Sequence, residues 1–132
     1  MITQYLLPDS AEQAVAELAS EAAVMGGGTT VMPLVHAGAL DASRVVGLAR
    51  AGLDGVQRSG GRTVLGAMTP LAAVASLDGA VGVAARAVGG PALRNMATVG
   101  GNLVVGGDVA TALLALGGEI RLSDRVVPID AL

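Results

Sequence analysis

The chain has 132 residues, a formal net charge of −3 and a hydrophobic content of 52%, which is enough for one domain with its own core. It contains no cysteine, and this excludes disulfides, zinc or iron–sulfur ligation through thiolates and a thiol nucleophile. All eight basic residues are arginines, no basic patch occurs, and Tyr5 is the only aromatic residue, so nucleic acid is not expected as a partner.

The N-terminus lacks the positive charge and the long apolar core of a signal peptide, so the expected location is cytoplasmic. The uncharged segment 22–40 is about long enough to cross a bilayer. Consecutive glycines and Pro33 interrupt it where a helix would need continuity. We therefore expect a buried strand, a loop and a helix there, and no membrane span.

The first part of the chain predicts alternating helices and strands. Ser10 and Gln13 have the spacing of a capping box, which begins an amphipathic helix. A short apolar run then predicts a buried strand at 22–25, a glycine loop follows, and residues 31–36 are predicted to be helical. With a second strand at 44–48, this is a βαβ-like unit, in which an anion favours the loop after the first strand.

The rest of the chain predicts hairpins and helices. Two strands that flank residues 59–62 form a hairpin. Thr69 is predicted to cap the next helix, with Pro70 at its first position. Asp108 is predicted to cap the last helix, and a second hairpin surrounds residues 124–125. The predicted helices of this part span residues 71–75, 80–88 and 109–116, and residues 93–97 lead into a glycine-rich segment.

Two glycine clusters stand out, the first glycine cluster at 25–30 and the second glycine cluster at 97–102. Glycine lets a ligand approach the main chain, and successive free N–H groups form a concave nest for an anion. Two such nests suggest a ligand with two linked phosphates. Either cluster alone is also typical of a tight structural turn. The chain has no lysine for a P-loop, and Val31 stands where a dinucleotide fingerprint needs a third glycine.

Four segments in chain order carry a family resemblance: MGGGTTVMPL at 25–34, LGAMTPL at 65–71, RNMATVGGNL at 94–103 and ALLAL at 112–116. Together they resemble the FAD-binding subunit or domain of the molybdenum hydroxylases, namely the carbon monoxide dehydrogenase medium chain and the xanthine dehydrogenase flavin domain. The resemblance implies an α+β, PCMH-type FAD-binding fold. A small parallel α/β lobe would span about 1–52, and a second lobe with antiparallel strands about 53–132.

The resemblance also implies which residues contact the cofactor, which would be non-covalent FAD. Residues 24–31 and 98–102 would hold the pyrophosphate and the ribityl chain. Val88 and Gly89 would line the cofactor, and Asp108 would contact it. These residues are Val24, Met25, Gly26, Gly27, Gly28, Thr29, Thr30, Val31, Val88, Gly89, Thr98, Val99, Gly100, Gly101, Asn102 and Asp108. No catalytic side chain and no metal ligand is implied, because the flavin carries the chemistry.

The implied function is electron relay in an oxidoreductase, from a molybdenum and iron–sulfur partner to an acceptor. The implied partners are molybdopterin and iron–sulfur subunits in a hetero-oligomer, or further copies in a homo-oligomer. The family normally continues into a C-terminal domain that helps to cover the flavin, and this chain is expected to lack it. The alternative is a non-catalytic member that serves as a scaffold or interaction module, or that binds another ligand.

Three further observations remain open at this point. His36 is the only histidine and has no recognisable catalytic partner, so it receives no role. Arg94 precedes the second glycine cluster and could neutralise a phosphate or form a structural salt bridge. The methionines of the four segments are interpreted as core filler: Met25, Met32, Met68 and Met96.

Overall fold

The computed structural model describes residues 1–18 and 21–132. Three parallel strands form a small sheet in the order β1 (Gln4–Leu6), β3 (Arg44–Gly47), β2 (Ala22–Met25). Val45 and Val46 of the central strand are buried. The predicted strands at 22–25 and 44–48 are confirmed, whereas β1 was not predicted, because three residues are too few to show an alternating pattern.

Two short helices accompany this sheet, α1 (Ala11–Ala16) and α2 (Val31–His36). The predicted capping box is present, since Ser10 Oγ accepts a hydrogen bond from the Gln13 N–H at 3.1 Å. The Gln13 side chain in turn accepts from the backbone N–H of Asp9 at 2.9 Å. The reciprocal bond therefore reaches one residue further back than the usual arrangement.

Two antiparallel hairpins confirm the remaining strand predictions. The first joins β4 (Val56–Ser59) to β5 (Arg62–Leu65). Gly60 and Gly61 have φ angles of 56° and 73°, which a two-residue hairpin turn of this kind requires at both positions. The second hairpin consists of β6 (Glu119–Arg121) and β7 (Val126–Pro128), and a 3-10 helix, Ile129–Ala131, follows it.

A group of helices occupies the chain between the two hairpins. They are α3 (Leu71–Val74), α4 (Ala80–Ala87), α5 (Pro91–Met96), α6 (Val99–Val105) and α7 (Asp108–Ala115). Buried side chains of these helices, together with Ala97 directly after α5, form the main hydrophobic core: Leu71, Val74, Ala85, Ala97, Val99 and Val109. These side chains are small or of medium size, so the helices pack closely. No helix in the described ranges is long and apolar enough to span a membrane.

Two of the predicted helix caps are wrong. Pro70, not Thr69, is the N-cap of α3. The Thr69 hydroxyl instead donates to the Gly55 carbonyl and accepts from the Gly55 N–H, both at 2.9 Å. Gly107, not Asp108, is the N-cap of α7, and Asp108 is its first helical residue. The Thr69 hydroxyl is thus engaged by Gly55 and does not cap α3. Neither Pro70 nor Gly107 makes a side-chain cap bond of its own.

The second glycine cluster differs most from its prediction as a loop. Its residues from Val99 onward form the first turns of α6, with Thr98 as the N-cap. The preceding segment, predicted only as a lead into the cluster, is helix α5. Glycine disfavours a helix interior by about 1 kcal/mol, so tertiary contacts must outweigh local propensity here.

Candidate functional site

The first glycine cluster lies at the carboxyl edge of the parallel sheet, between β2 and α2. Ligands of open α/β sheets bind at this edge. Gly28 is buried and has a φ of 78°, a conformation that favours glycine. Its carbonyl accepts a hydrogen bond from the Met32 N–H at 2.9 Å, which joins the cluster to α2. The cluster is therefore a defined turn at the position where a ligand is expected.

The backbone N–H groups of residues 26–31 have no acceptor in the part of the chain that the structure describes. Only Gly28 of these residues is buried, so the other N–H groups can reach water. A run of N–H groups without internal partners is a set of donors available to an external acceptor, and an anion is the strongest such acceptor. The first glycine cluster is therefore a candidate anion site.

The second glycine cluster has already used its N–H groups. Val99 donates to the Thr69 carbonyl at 3.0 Å, and Gly100 donates to the Ala67 carbonyl at 2.7 Å. The Gly101 N–H donates to Thr98 Oγ1 at 3.2 Å. The next N–H along the chain, that of residue 102, donates to the Thr98 carbonyl at 2.9 Å. The cluster is thus not a second nest of free donors.

The two clusters are nevertheless in direct contact. A methyl group at Gly27 would overlap the carbonyl oxygen of Met96. A methyl group at Gly26 would lie 2.8 Å from Thr98 Oγ1, which is also too close. The backbone of the first cluster therefore rests on residues 96–98, and glycine is required there because any side chain would separate the two segments.

A third segment, residues 67–71, completes the site and was not assigned a role from sequence. It supplies the Ala67 and Thr69 carbonyls that pair with the second cluster, and the Leu71 N–H donates to the Ala97 carbonyl at 2.8 Å. Pro70 and Thr98 form an isolated β-bridge between the same two segments. These contacts are between backbone groups, so the side-chain pattern gave no signal beyond the resemblance of this segment to the family.

Asn102 has a structural role that the sequence did not indicate. Its Oδ1 accepts from the N–H groups of Val109 at 3.0 Å and Ala110 at 3.1 Å. It therefore caps the N-terminus of α7 from the preceding helix. Gly107 lies so close that a methyl group there would overlap the Asn102 side chain. The side chain of Val99, another implied cofactor contact, is 3% exposed and belongs to the hydrophobic core.

Val88 and Gly89 lie where α4 ends, and Arg94 holds this end. One guanidinium nitrogen of Arg94 donates to the carbonyls of Arg86, Val88 and Gly89 at 3.1, 3.3 and 2.8 Å. A cation near the carboxyl end of a helix also interacts favourably with its dipole. Arg94 thus caps a helix, which is neither of the two roles that its sequence position suggested. Asp108 is exposed at the start of α7.

The remaining implied contacts belong to the first glycine cluster and its flanks. Val24 is 45% exposed on the edge strand, and Thr30 is exposed at the start of α2 without a side-chain cap bond. His36 is exposed in the last turn of α2. Within residues 1–18 and 21–132, no group of three or more His, Cys, Asp or Glu side chains is arranged to hold a metal ion.

Two open surface concavities lie away from the glycine clusters. One, of about 400 Å³, is lined by Met1, Glu21, Leu40, Asp41, Ala42 and Ser43. The other, of about 310 Å³, is lined by Gly52, Leu53, Asp54, Gly55, Gln57, Val64, Gly66 and Arg121. Neither contains a residue of the two clusters. The case for a site at the clusters therefore rests on their backbone donors and not on either concavity.

Comparison with known proteins gives a consistent result. The family model described as the FAD binding domain in molybdopterin dehydrogenase matches residues 1–131. The chain is similar to a chain of the carbon monoxide dehydrogenase from Hydrogenophaga pseudoflava that lacks the Mo-pyranopterin moiety of the molybdenum cofactor. That match has 26% identity and a TM-score of 0.87, and it covers 98% of this chain and 51% of the other.

Two further solved structures are similar. A chain of reconstituted CO dehydrogenase from Oligotropha carboxidovorans matches with 28% identity and a TM-score of 0.81, over 96% of this chain and 50% of the other. A chain of quinoline 2-oxidoreductase from Pseudomonas putida 86 matches with 25% identity and a TM-score of 0.81, with the same coverage. This chain thus spans about half the length of these solved chains. No curated protein sequence matches significantly.

Proposed function

Because the chain belongs to the family of FAD binding domains in molybdopterin dehydrogenases, whose cofactor is FAD, we propose that its first glycine cluster binds the FAD pyrophosphate. The observation that carries this proposal is the run of N–H groups at 26–31 that have no acceptor within the described ranges. A pyrophosphate has several anionic oxygens in a small volume, which suits several free donors within one turn.

The second glycine cluster and residues 67–71 have a supporting role in this proposal. They hold the surface on which Gly26 and Gly27 rest, and so they fix the direction of the free N–H groups. Pre-organised donors bind an anion more tightly than a mobile loop does, because less conformational entropy is lost on binding. Contacts of the cofactor with Val88, Gly89 and Asp108 remain predictions from the family resemblance.

When bound, FAD would supply electron transfer, and this chain would supply its binding and orientation. We propose that it relays electrons within a larger assembly that contains molybdopterin and iron–sulfur subunits, in the cytoplasm. Support for an assembly comes from apolar side chains that lie exposed on α6 and at the end of α7: Val104 at 86%, Val105 at 56% and Leu116 at 62%. Exposed apolar groups of this kind are typical of protein–protein contacts.

A binding experiment with three related ligands tests the proposed pyrophosphate site. Purified protein is titrated with FAD and with riboflavin by flavin fluorescence, and with ADP by competition. We expect ADP to compete with FAD, and riboflavin, which lacks the pyrophosphate, to bind at least about 100-fold more weakly, since charge-assisted hydrogen bonds are the strong ones. Equal affinities for FAD and riboflavin would contradict the role of the first glycine cluster.

The same titration distinguishes the alternative function. A protein that binds neither flavin, alone or with molybdopterin and iron–sulfur subunits, would be the non-catalytic scaffold. The exposed side chains of α6 and α7 would then be its functional surface. Retention of FAD together with pyrophosphate-dependent affinity would instead favour the electron-relay component.

A further inference from the structure

Methionine is concentrated around the first glycine cluster. The chain contains five methionines; beyond Met1, Met25 begins this cluster and Met32, Met68 and Met96 approach it. A methyl group placed on Gly28 would lie 3.2 Å from Met32 Cγ and 3.5 Å from the Met25 sulfur. A methyl group placed on Gly26 would lie 3.6 Å from the Met68 sulfur. Met96 approaches through its backbone carbonyl.

These methionines are not core filler, which corrects the interpretation from sequence. None belongs to the buried hydrophobic core. Met32 is 37% exposed and Met96 is 57% exposed, whereas Met25 and Met68 are half-buried. Met32 is therefore both accessible to small solutes and in contact with the turn that carries the free N–H groups.

We propose that Met32 is an oxidative modification site, and that conversion of its thioether to the sulfoxide weakens ligand binding at the first glycine cluster. The expected effect on FAD binding rests on the proposed function of that cluster, whereas the oxidation of Met32 does not. The oxidant is hydrogen peroxide, and the modification can be reversed by methionine sulfoxide reductases.

The reaction is a two-electron oxidation of sulfur. The thioether sulfur attacks one peroxide oxygen, an S–O bond forms and the O–O bond breaks. The sulfur is oxidised by two electrons, the peroxide is reduced, and its second oxygen leaves as water with both protons. The product has a polar oxygen on a side chain that was apolar before, with strong hydrogen-bond acceptor character.

The position of Met32 explains why this oxygen would matter. The Met32 side chain packs against Gly28, and the Met32 N–H donates to the Gly28 carbonyl. Met32 Cγ packs against buried Gly28, so a sulfoxide at Met32 places a hydrogen-bond acceptor beside this turn. The N–H groups of residues 26–31 in the same turn have no acceptor within the described residues. A sulfoxide oxygen that accepts from them occupies the donors that an anion needs.

The test compares the wild-type protein with Met32→Leu before and after treatment with hydrogen peroxide. Peptide mass mapping locates each added oxygen, and flavin fluorescence gives the Kd of FAD. We expect oxidation to raise the Kd of the wild-type protein by about tenfold, the effect of losing a charge-assisted hydrogen bond. Met32→Leu, which keeps side-chain volume and has no sulfur, should start with the same affinity and keep it after peroxide.

Met96→Leu is the matched control. Met96 is more exposed than Met32, but it meets the first glycine cluster through its backbone carbonyl, which the substitution retains. This variant should stay as sensitive to peroxide as the wild-type protein. The proposal is overturned if Met32→Leu loses affinity after peroxide as the wild type does, or if Met32 remains unoxidised while Met96 is fully oxidised.

Amide hydrogen exchange separates this proposal from the proposed function. If the untreated protein binds no FAD, the pyrophosphate assignment fails, but the modification can still be measured. Oxidation should slow exchange at residues 26–31, because the sulfoxide oxygen then accepts from these N–H groups, and a methionine sulfoxide reductase should reverse the change. Unchanged exchange in a protein whose Met32 is oxidised would overturn the proposal in either case.

Discussion

The two glycine clusters are both glycine-rich and each lies at the start of a helix, yet their backbone N–H groups differ. In the first cluster, residues 26–31 have no acceptor within the described chain. In the second, every N–H from Val99 to Asn102 has one. The glycines of the two clusters also have different contacts. Those of the first cluster permit contact with residues 96–98, whereas Gly100 in the second cluster permits contact with Ala67.

The difference shows that a glycine-rich sequence does not determine whether its amides are free. The decisive partner of the second cluster is segment 67–69, which is distant in sequence and contributes carbonyl groups that every residue possesses. No acceptor segment of this kind lies on the first cluster in the described ranges. Four substitutions test this difference between the two clusters.

Gly27→Ala should have the largest effect on ligand binding. The added methyl group overlaps the Met96 carbonyl, so the first glycine cluster must move away from the surface that supports it. We expect the Kd of FAD to rise by at least about 100-fold, equivalent to ~3 kcal/mol. The free energy of unfolding should fall by about 1–3 kcal/mol, as for other overpacked sites. Flavin fluorescence and urea unfolding measure the two effects.

Gly90→Ala is the matched control for this substitution. Gly90 has a φ of −97°, and no atom lies within 4 Å of the position of an added methyl group, so alanine meets neither strain nor a clash. Its FAD affinity should equal that of the wild-type protein. If Gly27→Ala and Gly90→Ala bind FAD equally well, the contact between the two clusters has no part in holding the cofactor.

Asn102→Ala should affect stability more than binding. The substitution leaves the N–H groups of Val109 and Ala110 without their acceptor, which costs about 1–3 kcal/mol when donors are shielded from water. Asn102→Asp retains an acceptor oxygen at the helix N-terminus and should recover most of the loss. Thermal unfolding checks both, with exposed Asn95→Ala as the control. A stable Asn102→Ala protein that has lost FAD would assign Asn102 to the cofactor instead.

Thr98→Val should cost about 1 kcal/mol of unfolding free energy, the usual value of a helix N-cap. Valine keeps the buried, branched shape of Thr98 but removes the oxygen that accepts from the Gly101 N–H. Thr98→Ser, which keeps that oxygen, should lie closer to the wild-type protein. Equal stability of the valine and serine variants would show that the hydroxyl does not cap α6.

Much of the fold followed from local signals in the sequence. Ser10 and Gln13 marked the start of α1 because a capping box is a local arrangement, and Gly60 with Gly61 marked a hairpin because the turn itself needs positive φ. The match of the family model confirms the FAD-binding resemblance that the glycine-rich segments indicated. The capping box and the hairpin turn each depend on residues that are close together in the chain.

The features that sequence reasoning missed depend on distant partners. The helical state of the second glycine cluster relies on carbonyls of residues 67–69. The cap of α7 comes from Asn102, and Arg94 holds the end of α4. In each case a side chain or carbonyl satisfies a backbone group on another element, and such a pairing leaves no periodic pattern in the sequence. The cofactor contacts of individual residues remain predictions.

Gly101→Ala should have the smallest effect and is the sharpest test of the comparison. Alanine gains about 0.5–1 kcal/mol over glycine inside a helix. The added methyl group lies 3.1 Å from Thr98 Oγ1, which offsets part of that gain, and Gly101 is exposed. Because its N–H is already bonded to Thr98, we expect a Kd for FAD within about threefold of the wild type, or ~0.7 kcal/mol. A loss as large as that of Gly27→Ala would mean that the cofactor needs the second cluster as directly as the first. The hydrogen bonds within α6 would then have to open when FAD binds.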